Sequence, residues 1–140
     1  MTDKELIAAA GEARRRAYSP YSGYSVGAAL LCEDGSVYLG CNIENATFTP
    51  TVCAERTAFF KAVSEGKRGF RKIAVVGGKA GTPDGFASPC GVCRQVMNEF
   101  CNKDTFEILL LQNGKICSYT LRQLLPVSFD SDNVKEDTTP

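Results

Sequence analysis

Three cysteines and one glutamate in this sequence have the types and the spacing that metal chemistry requires. Cys53 and Glu55 lie two residues apart, and the segment Pro89-Cys90-Gly91-Val92-Cys93 supplies two more thiols. Both segments stand at the predicted start of a helix, where unpaired N–H groups and the positive end of the helix dipole favour thiolate over thiol. Three thiolates suit a soft cation, and zinc fits them best.

The chain contains no histidine, which limits the chemistry of any such site. Because no imidazole is available for a nucleophile pair or as a metal ligand, a metal must be held by thiolates or carboxylates. Structural zinc sites normally have four protein ligands, whereas the local pattern supplies three. We therefore predict an open coordination position for water, with Glu55 close enough to carry a proton to and from the reacting groups.

Two other functions remain open for these cysteines. A Cys-x-x-Cys pair also occurs in redox dithiols, although no thioredoxin-like context precedes this one and a third cysteine has its own helix start. A structural zinc module that serves binding only would need a fourth protein ligand and would not depend on Glu55. The remaining cysteines are interpreted as small hydrophobic core residues: Cys32, Cys41, Cys101 and Cys117.

Hydrophobic periodicity and turn residues predict the elements that position these side chains. Apolar steps of three and four predict a first helix over residues 3–17 with Asp3 as its cap, and Asp34-Gly35 predicts a β-hairpin after it. The remaining predicted elements are a helix over 51–65, a strand over 71–78, a helix after Pro89, a hairpin of strands 106–111 and 115–119 around Asn113-Gly114, and a short helix over 121–125.

This order predicts an α/β fold, a three-layer α/β/α sandwich whose mixed five-stranded sheet has a βαβαβ core. The unbroken apolar run 73–76 indicates a strand covered on both faces. Both central helices begin at the carboxyl ends of the strands before them. Open α/β sheets usually bind ligands at that edge, and the cysteines and Glu55 fall there.

Composition limits the partners of the protein. With 140 residues, the chain is predicted to form one domain over residues 1–130, and the acidic, apolar-poor segment 131–140 a mobile tail. Sixteen basic and sixteen acidic residues give a net charge of zero, which favours free small molecules over nucleic acid or membranes as partners.

The N-terminal segment and the basic clusters receive simple interpretations. No apolar run near the N-terminus is long enough for a signal peptide or a membrane span, so a cytoplasmic protein is expected. Arg14, Arg15 and Arg16 are interpreted as solvated cations at the negative end of the first helix. The same solvated interpretation applies to Lys67, Arg68, Arg71 and Lys72.

The combined pattern resembles the zinc-dependent nucleoside and nucleobase deaminases, in which Cys-x-Glu or His-x-Glu is followed by Pro-Cys-x-x-Cys. Further segments look like the small, all-cysteine, homotetrameric type of the cytidine and deoxycytidylate deaminase family. These segments are YSPYSGYSVGAALL, GCNIENATF, CAERTAFFKAVSEG, SPCGVCRQV and LLPVSF. The resemblance covers nearly the whole chain apart from the tail.

The resemblance implies a reaction and its cofactor. The reaction is hydrolytic deamination of cytidine and 2'-deoxycytidine to uridine and 2'-deoxyuridine, with release of ammonia, in pyrimidine salvage. One zinc per subunit would be held by Cys53, Cys90 and Cys93, and Glu55 would carry the proton from the attacking water to the ring nitrogen and then to ammonia. The expected partners are free nucleosides and water, without nucleic acid or membrane, in a homotetramer with composite active sites.

The resemblance also implies a set of substrate contacts. Asn42 and Glu44 would form hydrogen bonds to the ribose, and the backbone N–H of Ala54 would meet the base carbonyl. Tyr24, at a position that is often Phe in the family, would pack against the base. Phe129 would reach the base bound in a neighbouring subunit; the alternative interpretation of this residue is an anchor of the hydrophobic core.

Electrostatics give a separate reason to consider Arg56. Three thiolates and a dication sum to a negative site, which weakens the activation of water by the metal. Guanidinium hydrogen bonds to the thiolates would withdraw charge and lower the pKa of that water. We therefore predict that Arg56 tunes the metal by contacting its thiolate ligands. The alternative is a solvated arginine on the helix surface.

Two related deaminase activities are disfavoured, one by the predicted sugar-binding residues and the other by charge and chain length. An antibiotic deaminase of the blasticidin type shares the zinc pattern, but the roles of Asn42 and Glu44 presume a sugar hydroxyl. A polynucleotide deaminase is disfavoured by the neutral charge and by the lack of a spare segment that would form a nucleic-acid path.

Overall fold

The computed structural model describes residues 1–135 of the chain. Its helices are α1 (Asp3–Arg14), α2 (Ala54–Ser64), α3 (Gly91–Phe100), α4 (Leu121–Leu124) and a 3-10 helix (Ser131–Asn133). Its strands are β1 (Tyr24–Cys32), β2 (Val37–Cys41), β3 (Phe70–Lys79), β4 (Glu107–Gln112) and β5 (Lys115–Thr120).

The five strands form one mixed sheet in the order β2-β1-β3-β4-β5. β1 is antiparallel to both β2 and β3, β3 is parallel to β4, and β5 is antiparallel to β4. Strands β2, β3 and β4 therefore run in the same direction and are joined by α2 and α3. This arrangement confirms the predicted α/β fold with a βαβαβ core.

Helices cover both faces of the sheet, as predicted for three layers. Successive residues of β1 point to opposite faces, so Ala28 and Leu30 lie in one hydrophobic cluster and Ala29 and Leu31 in the other. The first cluster contains buried side chains of α2, α3 and α4, and the second contains those of α1. The absence of a side chain at Gly40 in β2 allows close contact with α2, since a Cβ there would lie 2.2 Å from the carbonyl oxygen of Ala54.

Both predicted hairpins are present. β1 and β2 pair around Gly35, which has a φ of 91°, and β4 and β5 pair around Asn113 and Gly114, with φ angles of 53° and 77°. Positive φ at both central residues matches the tight turns that Asn-Gly pairs favour.

The predicted bounds of α1 and α2 were wrong by a few residues. Thr2, not Asp3, caps α1, because the Thr2 hydroxyl accepts the N–H of Glu5 at 3.1 Å while the Glu5 carboxylate binds the Thr2 backbone N–H. α1 ends at Arg14 rather than at residue 17. α2 starts at Ala54 rather than at residue 51, since residues 43 and 52 exchange backbone hydrogen bonds in an extended bridge.

The four cysteines outside the motifs are buried to different degrees. Cys32 is buried in the core, as predicted, whereas Cys41, Cys101 and Cys117 are half-buried. Cys101 follows the last residue of α3 in an extended conformation rather than lying on that helix. Desolvation raises the pKa of Cys32, Cys41 and Cys101, so these thiols stay neutral.

The interpretation of Arg14 as a solvated residue was wrong. Its side chain is 5% exposed, whereas that of Arg15 is 75% exposed. Lys72 is also less solvated than expected, because it forms an ion pair with Asp3 at 2.9 Å. Tertiary contacts therefore separate residues that look alike in the sequence.

The two ends of the chain complete the description. Within residues 1–135, no helix combines the length and the apolar character needed to cross a bilayer. The first part of the predicted tail contains the 3-10 helix Ser131–Asn133, while residues 136–140 lie outside the described residues. The single domain over residues 1–130 and the mobile tail stay predictions.

Candidate metal centre

Two of the motif cysteines occupy the N-cap positions of α2 and α3. Cys53 and Cys90 both have extended backbone angles, with φ and ψ of −77° and 157° and of −69° and 169°. Neither side chain makes the hydrogen bond to the helix backbone that a serine or aspartate would make at this position. Both sulfurs are therefore available as metal ligands, and they lie next to the unpaired backbone N–H groups of the helix starts.

The three sulfurs lie at distances that fit a single metal ion. The Sγ atoms of Cys53 and Cys90 are 3.7 Å apart, those of Cys90 and Cys93 are 3.5 Å apart, and all three lie within 4.8 Å of one another. A tetrahedral zinc with bonds of about 2.3 Å to sulfur separates its ligands by about 3.8 Å. Among the described residues, this is the one such cluster, and it offers no fourth cysteine or carboxylate ligand.

Hydrogen bonds distribute negative charge unevenly over this cluster. A hydrogen bond from Cys93 and one from Arg56, whose Nη2 is 3.4 Å from Cys53 Sγ, lower the pKa of Cys53 to about 5. The same bond to Cys53, together with burial, raises the pKa of Cys93. Cys53 thus ionises more readily than Cys93, and Arg56 contacts it directly.

Glu55 lies in the first turn of α2 and is 3% exposed. Burial, together with the negative charge of Cys53, raises the pKa of its carboxyl to about 7. A carboxyl group with this pKa exchanges a proton readily near neutral pH, as a general acid and base must.

A cavity of about 340 Å³ opens beside the cysteines. This volume is within the usual range for small-molecule sites. The residues that the sequence predicted and that line this cavity are Tyr24, Asn42, Glu44, Cys53, Ala54, Glu55 and Cys90. A larger cavity of about 570 Å³ beside Arg14 contains none of the motif cysteines.

Asn42 and Glu44 form the polar part of the cavity wall. Asn42 accepts the N–H of Val26 at 2.9 Å and donates to the carbonyl of Tyr24 at 2.8 Å, which fixes its amide and leaves one N–H for a ligand. Hydrogen bonds from the Ser22 hydroxyl and from the backbone N–H groups of Ser22 and Tyr21 lower the pKa of Glu44. Glu44 is therefore ionised and keeps acceptor capacity for a hydroxyl group.

The aromatic wall contains one residue that the sequence predicted and one that it missed. Tyr24 lines the cavity, and its hydroxyl donates to the carbonyl of Phe86 at 3.0 Å. The Tyr24 hydroxyl thus joins two parts of the wall. Phe86, Ala87 and Ser88 line the cavity just before the Pro-Cys-x-x-Cys segment, and their position next to it was the available signal.

Arg94 is a second residue that sequence reasoning missed. Its guanidinium donates to the Pro89 carbonyl and to the Ser88 hydroxyl, both at 2.8 Å, and to the Leu124 carbonyl at 2.6 Å. These bonds hold the backbone that precedes Cys90 against α4. Arg94, which lies on α3 itself, therefore fixes the turn that leads into Cys90.

Phe129 does not line the cavity of its own chain. Its side chain is 61% exposed, so the alternative of a core anchor is wrong. Its carbonyl accepts hydrogen bonds from Gln95 at 2.8 Å and from Asn98 at 3.2 Å, which tie the segment to α3.

Comparison with known proteins identifies the family of this site. Residues 1–108 match the family described as the cytidine and deoxycytidylate deaminase zinc-binding region. The chain belongs to this deaminase family. It is therefore a hydrolase with a zinc-binding region, and its cysteine cluster has the geometry to hold a metal ion.

Individual deaminases agree with this assignment along nearly their whole length. The chain is 50% identical to cytidine deaminase of Sporosarcina psychrophila over 96% of both chains. It is 47% identical to a cytidine deaminase from Burkholderia pseudomallei of known crystal structure, with a TM-score of 0.83, over 92% of this chain and all of that one. Blasticidin-S deaminase of Bacillus cereus is 31% identical over 91% of both chains.

Proposed function

We propose that this deaminase converts free cytidine and 2'-deoxycytidine to uridine and 2'-deoxyuridine, with release of ammonia, in pyrimidine salvage. One observation carries the proposal. A single cavity is lined by two cysteines of the cluster and by Glu55, together with two groups suited to a sugar, Asn42 and Glu44. A nucleoside presents an amino group on its base and hydroxyl groups on its sugar, so it matches both sets.

The chain's own groups orient the substrate. Asn42 and Glu44 form hydrogen bonds to ribose hydroxyls. Ala54 is the first residue of α2, where its N–H has no partner within the helix, and this N–H donates to the base carbonyl. Tyr24 packs against the base at the opposite wall.

Glu55 moves the protons of the reaction. Cys53, Cys90 and Cys93 would hold a zinc ion, which when bound would supply the Lewis acid that makes water a nucleophile near neutral pH. Glu55 takes a proton from water and gives it to the ring nitrogen beside the carbon that carries the amine. A second proton passes to the amine, so that cytidine and water yield uridine and ammonia.

The charge of the cavity favours a free nucleoside over a nucleotide. Within the described residues, the cavity lining includes Glu44 and Glu55 but no lysine or arginine. A phosphate monoester would bring further negative charge beside these carboxylates without a cationic side chain in the lining to offset it. Juxtaposed like charges cost several kcal/mol.

The test of the function is an ammonia-release assay of the zinc-loaded protein with cytidine, 2'-deoxycytidine, cytidine monophosphate and blasticidin S. We expect turnover of both nucleosides and a kcat/KM for the monophosphate that is at least about 100-fold lower than for cytidine. Faster turnover of the monophosphate or of blasticidin S than of cytidine would contradict the proposal.

We also propose that Arg56 tunes the zinc site. Its Nη2 contacts Cys53, and its Nε atom is buried without a hydrogen-bond partner among the described residues. A half-buried guanidinium beside thiolates withdraws negative charge from them and opposes their protonation.

Replacing Arg56 with Gln is expected to weaken zinc binding about 10- to 100-fold, because protons then compete better for Cys53. The pH dependence of kcat should move to higher pH, since more thiolate charge reaches the metal. Zinc titration against a chelator and pH–rate profiles measure both effects. Arg71→Gln, at an exposed position of β3, is the matched control. Unchanged zinc affinity and an unchanged profile in Arg56→Gln would refute this role.

We further propose a homotetramer in which Phe129 contacts the base bound by a neighbouring subunit. The exposure of its ring, while its carbonyl is tied to Gln95 and Asn98, supports this role. An exposed aromatic ring on an anchored segment is well suited to contact another chain.

A further inference from the structure

Arg14 is the buried cation of this fold that the chemistry described so far does not use. It ends α1, and its side chain is 5% exposed. Burying a guanidinium is unfavourable unless its N–H groups all find acceptors. The acceptors that it finds show which parts of the chain it holds.

The guanidinium of Arg14 joins two segments that are distant in sequence. Nε donates to the carbonyl and the hydroxyl of Ser25 in β1, at 3.1 and 2.9 Å. Nη1 donates to the Thr82 carbonyl at 2.8 Å and to Asp84 at 3.0 Å. Nη2 donates to the Lys79 carbonyl at 2.8 Å and to the Thr82 hydroxyl at 3.1 Å.

Both segments continue directly into the wall of the substrate cavity. Ser25 stands between Tyr24 and Val26, which line the cavity. Asp84 stands two residues before Phe86, which also lines it. The hydrogen bond from the Tyr24 hydroxyl to the Phe86 carbonyl closes the connection between the two segments on the cavity side.

Close packing fits the loop against α1. A Cβ at Gly11 would lie 2.2 Å from a carboxylate oxygen of Asp84, so this position of α1 leaves room for the Asp84 side chain alone. The ring of Phe86, by contrast, is 50% exposed. Its position thus depends on how the preceding residues are held, both by the backbone bridge between Gly85 and Gly77 of β3 and by the contacts of Arg14.

We propose that Arg14 is a positioning residue for substrate binding, which holds the loop 79–86 against β1 and thereby places Phe86 and Tyr24 at the wall that faces the base. This inference rests on the proposed function of the cavity. Loss of Arg14 should affect substrate binding but not the chemical step, because Arg94 and the helices α2 and α3 hold the proposed zinc ligands without contacts from Arg14.

The test compares Arg14→Lys and Asp84→Asn with Arg15→Lys, an exposed neighbour whose partner is Glu12. Lysine keeps the charge of Arg14 but cannot reach the six acceptors, and asparagine weakens one side of the contact. We expect KM for cytidine to rise about 10- to 100-fold in Arg14→Lys and less in Asp84→Asn. Bound zinc should stay constant, and kcat should stay within about twofold. Arg15→Lys should match the wild type.

A double-mutant cycle distinguishes positioning from a general loss of stability. If Arg14 acts through Phe86, the rise in KM caused by Asp84→Asn becomes smaller in a Phe86→Ala background. A folded Asp84→Asn protein with unchanged KM would overturn the inference. So would a cycle in which Asp84→Asn raises KM by the same factor with and without Phe86→Ala. Both outcomes can be measured even if Arg14→Lys fails to fold. Failure of the proposed function is distinct, because the wild type itself then shows no turnover of cytidine.

Discussion

Replacing Glu55 with Gln is expected to lower kcat for cytidine by at least about 10²–10⁴-fold while zinc stays bound at one ion per chain. Gln has nearly the shape of Glu but carries no transferable carboxyl proton. Glu55 is the buried carboxyl group in the proposed substrate cavity, and the proposed zinc ligands are cysteines that this substitution leaves in place. The measurements are steady-state ammonia release and metal analysis of the same preparation.

The control for this variant is Glu99→Gln, at an exposed position of α3. It makes the same chemical change without touching the cavity and should leave both kcat and zinc content unchanged. Undiminished turnover in Glu55→Gln would rule out Glu55 as the proton carrier. It would also leave the cysteine cluster without the acid–base group that separates an enzyme site from a structural one.

Replacing Cys90 with Ser should abolish stoichiometric zinc binding and, with it, activity. Cys90 is exposed, so the substitution removes a metal ligand at little cost to core packing. Because zinc binds the native state preferentially, its loss should lower stability by about 3–4 kcal/mol when the wild type is compared at a zinc concentration of 100 to 1,000 times Kd. The corresponding fall in Tm is on the order of 10 °C.

Cys117→Ser is the matched control, since Cys117 lies on β5 outside the cluster and is half-buried. Cys117→Ser should bind zinc and stay active, and its Tm should fall when a chelator is added, as in the wild type. In Cys90→Ser the chelator should have no further effect on Tm. Retention of one zinc per chain in Cys90→Ser would show that the three sulfurs are not the ligand set.

The metal centre was the most predictable part of the molecule. Cys53 and Cys90 lie at the starts of helices that follow β2 and β3; these strands run in the same direction, so both helices begin at the same edge of the sheet. The short spacing to Cys93 is one helical turn, which local geometry alone sets. Motif spacing and strand order therefore placed the three thiols within bonding range of one ion.

The substrate cavity was predictable only where the family resemblance supplied residues. Asn42 and Glu44 were assigned in this way, and the structure places both in the cavity. Phe86 and Arg94 were missed: the only local signal for Phe86 is its position just before the Pro-Cys-x-x-Cys segment, and Arg94 has the sequence neighbourhood of an ordinary helix residue. Their roles depend on what the chain brings beside them from β1 and α4.

The sequence by itself determined the α/β fold with its βαβαβ core, the hairpin turns and the positions of the three candidate zinc ligands, since these follow from local periodicity, turn chemistry and short spacings. The tertiary structure decided the fate of side chains that are chemically alike. Arg14 is buried and Arg15 is solvated, although they are adjacent in the sequence at the end of α1. The difference arises because Ser25, Thr82 and Asp84, from distant segments, supply the acceptors that make burial of one guanidinium favourable, and no local pattern encodes where those segments meet.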